Sequence, residues 1–259
     1  GHTNETRARQ HVVNLIRSGD ELLQQEPTFW SYSENWWEWD ECEYIKAQLA
    51  RSAPGKPAIT PNYARTMKQN LDNHLLPYIG KTKRLKQITP ADINKIIIYL
   101  KEKKLSNKTI NNILGTLRVM LNEAVRRGHL EKNPMDQIRP LPVNIKEKGI
   151  LTDSEVQDLL AEENIEKFWN GNLVHYTANL LAATTGLRLG EVRGLKVGDI
   201  HDTWMGVNRS YGRFGEGPTK TKRLREVPIP QIARKYILKI MPKIGYIFSV
   251  NNGVTPIHG

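Results

Sequence analysis

Residues 106–130, "SNKTINNILGTLRVMLNEAVRRGHL", carry apolar side chains at Ile110, Ile113, Leu114, Leu117, Leu121 and Ala124. That i, i+3, i+4 spacing predicts a helix with one buried stripe, and Gly128 is placed to end it. Upstream, "TPNYARTMKQNLDNHLLPYIG" predicts a helix capped by Thr60 with Pro61 in its first turn, ended by Pro77 and Gly80. "TPADINKIIIYLKEKKL" repeats the device with Thr89, Pro90 and Asp92. "FWSYSENWWEWDECEYIKAQL" reads as helix too, with Trp30, Trp36, Trp37 and Trp39 inside ten residues. Aromatics this dense can stack on bases. The flanking acids Glu34, Glu38, Asp40, Glu41 and Glu43 favour packing against neighbouring helices instead.

The pattern changes after residue 138. "RPLPVNIKEK", 139–148, has two prolines and no period, which predicts an extended linker. "LTDSEVQDLLA" then opens a second half, with Thr152 and Glu155 at capping-box spacing. "NLVHYTANLLAATTG" is a more apolar helix closed by Gly186, and "RLGEVRGLKVGDI" a short amphipathic helix running into a strand. "TWMGVNRS", "YGRFGEGPTKTK" and "RLREVPI" alternate around glycines, which predicts a hairpin or small sheet with Lys220 where its tip projects. "PQIARKYILKIM" returns to helix. The fold class is mainly α with a small β-sheet or hairpin. The expected divisions are an N-terminal segment 1–27 (a linker or an expression remnant), a helical domain 28–138, the linker 139–148, and a second domain 149–259.

Charge sharpens this division. The chain has 259 residues, 38 basic and 27 acidic, for a net charge of +11. Residues 51–142 hold 18 basic and 6 acidic residues, and residues 187–259 hold 13 and 5. The segments 1–50 and 143–186 are net acidic. Two basic blocks parted by an acidic one suit two surfaces facing a polyanion such as duplex DNA. A solvated basic surface is the plain alternative. No apolar run approaches a membrane span, and no signal peptide opens the chain, so no membrane is expected. The single cysteine, Cys42, excludes an intrachain disulfide and fits a reducing, cytoplasmic setting.

The candidate chemistry follows the basic blocks. Opposite the apolar stripe lie Lys108, Asn111, Asn112 and Arg118, and Asn62 and Arg65 are counterparts on the Thr60-capped helix. Amide and cationic side chains suit base edges and phosphates, and they equally suit a wet helix face. In the second block Arg188 follows an apolar helix and Gly186. A fixed guanidinium can bind both non-bridging oxygens of a phosphodiester and stabilise charge that builds there. Glu191, one turn on, can orient it from behind. Lys220 can protonate a leaving 5′-oxygen, or it is a solvated turn lysine. Lys222, Arg223 and Arg225 look like backbone contacts. No zinc spacing, HExxH or phosphate-binding glycine loop occurs, so neither a metal nor a cofactor is expected.

These residues carry a resemblance. "AATTGLRLGEVRGLKVGDI" closely resembles the first arginine box of the tyrosine recombinases, the phage-integrase family. "LTDSEVQDLL" is similar to that family's entry into its catalytic domain, and "TKTKRLREVPIP" to its lysine-bearing β-hairpin. "NNILGTLRVMLNEAVRRGHLEKNPM" resembles the last helix and exit of its core-binding domain. The resemblance implies a helical core-binding domain followed by a mixed α/β catalytic domain. It implies Arg188 as the first catalytic arginine, Lys220 as the hairpin lysine and Glu191 as a supporting acid. It implies a metal-independent recombinase that clamps duplex DNA, cuts it through a 3′-phosphotyrosyl link and works as a tetramer. "TKTK" leans toward a mobile-element integrase rather than a chromosome-dimer resolvase.

The family pattern continues with a His-x-x-Arg box and a nucleophilic tyrosine, which "GYIFSVNNGVTPIHG" does not contain. His258 is followed only by Gly259, and Tyr246 comes too early. The nucleophile is therefore left unassigned, and this chain is expected to bind DNA without cutting it. Two alternatives stand beside that reading. A DNA-binding fragment or regulator gives no covalent adduct on a nicked substrate, and a type IB topoisomerase relaxes supercoils as a monomer.

Overall fold

Threonine and serine caps set where several helices among the described residues start. In the computed structural model Thr60, Thr89, Ser106 and Thr152 each accept a backbone N–H from the first turn of their helix. The structure describes residues 26–53, 58–144, 149–220 and 223–258, with Thr6, Arg9 and Gln10. Thus most of the segment 1–27, residues 145–148 and Lys222 lie outside the described residues. Two compact units divide between residues 146 and 147. No helix among the described residues is long and apolar enough to cross a membrane.

The first unit holds helices α1 (Phe29–Ser33), α2 (Glu43–Ala50), α3 (Pro61–Asn70), α4 (Leu76–Ile79), α5 (Pro90–Glu102) and α6 (Asn107–Arg126). The predicted stripe of α6 is buried throughout and forms the spine of this core. Trp36 and Trp37 are buried and Trp39 packs against the core, so three of the four tryptophans serve packing. Trp30 is exposed, with the Lys81 Nζ 4.9 Å from its ring centre.

One expectation needs correction here. Pro77 does not end its helix. A π-turn at Leu71–Leu75 joins α3 to α4, and the spiral continues through Pro77 to Ile79. Proline lacks an N–H and crowds the carbonyl one turn back, and the widened turn just ahead relieves that conflict. The segment 139–144 is extended, and it is bonded to the first unit. Asn111 Nδ2 donates to Leu141 O and Leu141 N–H donates to Asn111 Oδ1, both at 2.9 Å. Arg118 Nη2 donates to Ile138 O at 3.1 Å, and Asn107 Nδ2 to Pro142 O at 2.6 Å. An extended strand has carbonyls to satisfy, and α6 supplies the donors.

The second unit runs α7 (Asp153–Leu160), α8 (Ile165–Trp169), α9 (Leu173–Thr185), α10 (Leu189–Gly194), β1 (Trp204–Val207), β2 (Ser210–Gly212), β3 (Gly215–Gly217), β4 (Arg225–Pro228) and α11 (Gln231–Ile240). Its core joins Tyr176, Leu180 and Leu181 of α9 to Ala233, Tyr236 and Ile237 of α11, with Met205 and Val207 of β1. Among the described residues the fold is mainly α with two small antiparallel strand pairs, β1 with β4 and β2 with β3.

No strand follows α10 directly. Asp199 Oδ2 accepts the Lys196 N–H at 2.8 Å and draws Val197–Asp199 into a single 3-10 turn. Regular pairing begins only at Trp204, opposite Pro228. The tip between β2 and β3 is Arg213–Phe214, because Gly212 pairs with Gly215. Lys220 therefore sits not at that tip but on the connection from β3 to β4.

Candidate nucleic-acid interface

The end of α9 sets the direction of Arg188. Gly186 is left-handed, φ 68°, and its N–H closes the helix on Ala182 O at 2.9 Å. Side chains disfavour that conformation, so glycine fits the stop. Leu187 then plugs the core, and Arg188 stands extended as the residue before α10. Gly190 follows for a different reason: a Cβ there would meet Ser210 Oγ at 2.4 Å, so its bareness lets α10 lie close on β2.

Glu191 is the buried centre of this site, with only 1% of its side chain exposed. Its Oε2 accepts the Arg188 N–H at 3.0 Å, and its Oε1 accepts Arg188 Nη1 at 3.1 Å. From β4, Arg225 donates Nη2 to Oε2 at 2.7 Å and Nη1 to Oε1 at 3.2 Å. Burial by itself pushes the Glu191 carboxyl up. The Arg225 fork and the Arg188 backbone bond outweigh burial and hold the carboxyl below the usual carboxylate range. The same hydrogen bonds raise Arg225. Two guanidinium groups on one carboxylate leave a net positive charge. Arg188 is the more open of the two, with 54% of its side chain exposed against 35% for Arg225. The cluster can therefore offer a fixed cation to an anion from solvent.

The structure thus brings together Arg188, Glu191 and Arg225. Lys220 and Arg223 are exposed on the turn before β4, closed by a bond of 3.4 Å from the buried Thr219 Oγ1 to Arg223 O. In the first unit Asn62, Arg65, Lys108 and Asn112 are exposed on α3 and α6. Asn111 and Arg118 are half-buried, and the segment 138–142 engages them within their own domain. Their side chains thus also act as clips of that segment.

Tyr246 is engaged as well. Its hydroxyl donates to Glu216 Oε2 at 2.7 Å, and the same oxygen pairs with Lys196 Nζ at 2.7 Å. Burial first, then that bond to Glu216, pushes the phenol up to about 12, the wrong direction for a nucleophile. Sequence reading missed two features: the fork of Arg225 on Glu191 and the tie of Glu216 to Lys196. Both join residues far apart in the chain, and no local pattern signals them. Among the described residues, no group of three or more His, Cys, Asp or Glu could hold a metal ion.

Comparison with known proteins bears on the family and the fold. Residues 43–139 match the phage integrase SAM-like domain. The chain is 30% identical over 190 residues to the ICEBs1 integrase of Bacillus subtilis (strain 168), covering 71% of the chain and 49% of that relative. The chain thus spans about half the length of that relative. Two solved structures share the fold. The Tn1549 transposon integrase in complex with a circular intermediate DNA has a TM-score of 0.61 at 20% identity, covering 82% of this chain and 73% of that one. A lambda integrase tetramer bound to a Holliday junction has a TM-score of 0.60 at 17% identity, covering 96% and 71%.

Proposed function

Because the chain belongs to the tyrosine recombinase, or phage integrase, family, we propose that it is the DNA-gripping and phosphate-holding part of a mobile-element integrase. The observation that carries this reading is the buried Glu191 holding a half-exposed Arg188. Arg188 would bind the non-bridging oxygens of the scissile phosphate. Those oxygens gain charge as the phosphorus becomes five-coordinate, so a preorganised guanidinium favours the transition state over the substrate. In the complete reaction a tyrosine oxygen forms a bond to phosphorus while the bond to the 5′-oxygen breaks. Lys220 would give that oxygen its proton. The bond energy is kept in the 3′-phosphotyrosyl link, and a partner strand's 5′-hydroxyl reverses the step. No metal or cofactor takes part in this scheme, because arginine supplies the charge and lysine the proton.

Both units engage one duplex in this reading. Asn62, Arg65, Lys108 and Asn112 would serve the first unit, and Lys222 and Arg223 the second. Four protomers would hold two sites; the lambda integrase neighbour is a tetramer bound to a Holliday junction. The setting is cytoplasmic. The part of this scheme proposed for the present residues is gripping the duplex and holding the phosphate.

Duplex binding measured against salt tests the reading. Each phosphate contact should contribute about 0.9 to the slope of log affinity against log salt. The chain should show a steep negative slope, and Arg188→Gln should flatten it by about one contact. Binding insensitive to salt would remove the function from this chain.

A further inference from the structure

Arg225 was expected to be a backbone contact, and the geometry assigns it another task. We infer that Arg225 is a positioning residue: it occupies Glu191 so that Arg188 stays available to a phosphate. This rests on the reading of Arg188 as the phosphate ligand.

The two arginines share one carboxylate unequally. Arg225 commits both terminal nitrogens to it, one on each oxygen, at 2.7 and 3.2 Å. That is the parallel fork in which a guanidinium fits a carboxylate best. Arg188 gives the same carboxylate one side-chain donor at 3.1 Å and its backbone N–H at 3.0 Å. Its side chain is also the more exposed. A buried carboxylate needs strong donors, because an unpaired charge is costly there. If Arg225 were removed, Arg188 would be the cation at hand, and Glu191 would draw its second nitrogen into a fork. The group meant for phosphate would then be spent on an internal acid. Placement supports the division. Arg225 is anchored on β4, paired with Val207 of β1, whereas Arg188 stands at the mouth of α10.

The inference separates cleanly from a direct phosphate role for Arg225. The probe is a 30-base-pair duplex of mixed sequence, titrated with the chain between 50 and 200 mM salt. One lost phosphate contact changes the affinity loss over that range by about three- to fourfold. Arg188→Gln should lose one contact. Arg225→Gln should also lose one, by capture of Arg188. The two together should lose no more than either alone. The pair Glu191→Gln with Arg225→Gln should regain most of the contact that Arg225→Gln loses, since a neutral amide oxygen can still accept the Arg188 N–H but cannot draw both guanidinium nitrogens into a fork. That pair also avoids an unpaired buried charge, so it keeps the test usable if Arg225→Gln alone does not fold. A merely structural Arg225 would show no such rescue. Losses that add in the double arginine variant, or a contact still missing in the Glu191–Arg225 pair, would overturn the inference while leaving Arg188 in place. An unchanged slope in Arg188→Gln would overturn the reading of Arg188 and this inference with it.

Discussion

Asn111 and Leu141 exchange two hydrogen bonds of 2.9 Å, amide side chain to backbone, across 30 positions of sequence. The exchange imitates one rung of a β-ladder, with a helix side chain in place of a second strand. It turns residues 139–144 into part of the first domain's surface. Asn111→Ala should therefore lower the stability of the first unit by about 1–2 kcal/mol, since each bond contributes roughly 1 kcal/mol net. Denaturant titration of the chain measures this. If Asn111→Ala leaves stability unchanged and instead removes a phosphate contact from the salt slope, Asn111 is a DNA ligand after all.

Asp92 gives a pH-dependent prediction. Its carboxyl caps α5 through Thr89 N–H at 2.9 Å and pairs with Lys83 at 2.8 Å. Burial raises its pKa, but the bonds from Lys83 and Thr89 prevail and bring it to about 2. A depressed folded-state pKa adds stability that is complete above the unfolded value of 3.8 and fades as pH falls toward 2. Asp92→Asn should thus cost about 1–2 kcal/mol at neutral pH, allowing for the partial exposure of the pair. The gap between variant and wild type should narrow from pH 4 to pH 2. A gap constant with pH would mean that packing, not charge, holds this cap.

Gly245 and Gly198 make a matched pair in the second unit. Gly245 has φ 90°, and a Cβ there would lie 2.1 Å from Gly253 O. Gly198 has nothing within 4 Å of its Cβ position. Gly245→Ala should destabilise by about 2 kcal/mol or more, through strain and backbone clash together. Gly198→Ala should stay within about 0.5 kcal/mol of wild type. Equal melting temperatures for the two variants would show that the loop at 245–253 can yield.

Lys220 is best tested by chemistry, in any form of the protein that cleaves DNA. A 5′-bridging phosphorothiolate has a leaving sulfur that needs no acid. Lys220→Ala should cleave that substrate at close to the wild-type rate while losing about 10²-fold or more on ordinary DNA, the scale of a lost general acid. Equal losses on both substrates would make Lys220 a structural or phosphate-binding residue.

The sequence by itself determined the elements whose causes are local. The stripe of α6 repeats every three or four residues, and a helix that carries such a stripe must bury it. Thr60, Thr89, Ser106 and Thr152 cap because their oxygens lie within reach of the next turn's N–H groups. Arg188 and Glu191 stand three apart, so a single helical turn brings acid to arginine whatever surrounds them. Tertiary structure decided the rest, because it joins residues that no period links. It placed Arg225 on the far side of Glu191 and turned Asn111 onto Leu141 rather than outward. It carried a helix through Pro77 by widening the turn before it. Local sequence fixes which groups a segment offers; the carboxylate and carbonyls that the fold buries decide which of them are left to meet another molecule.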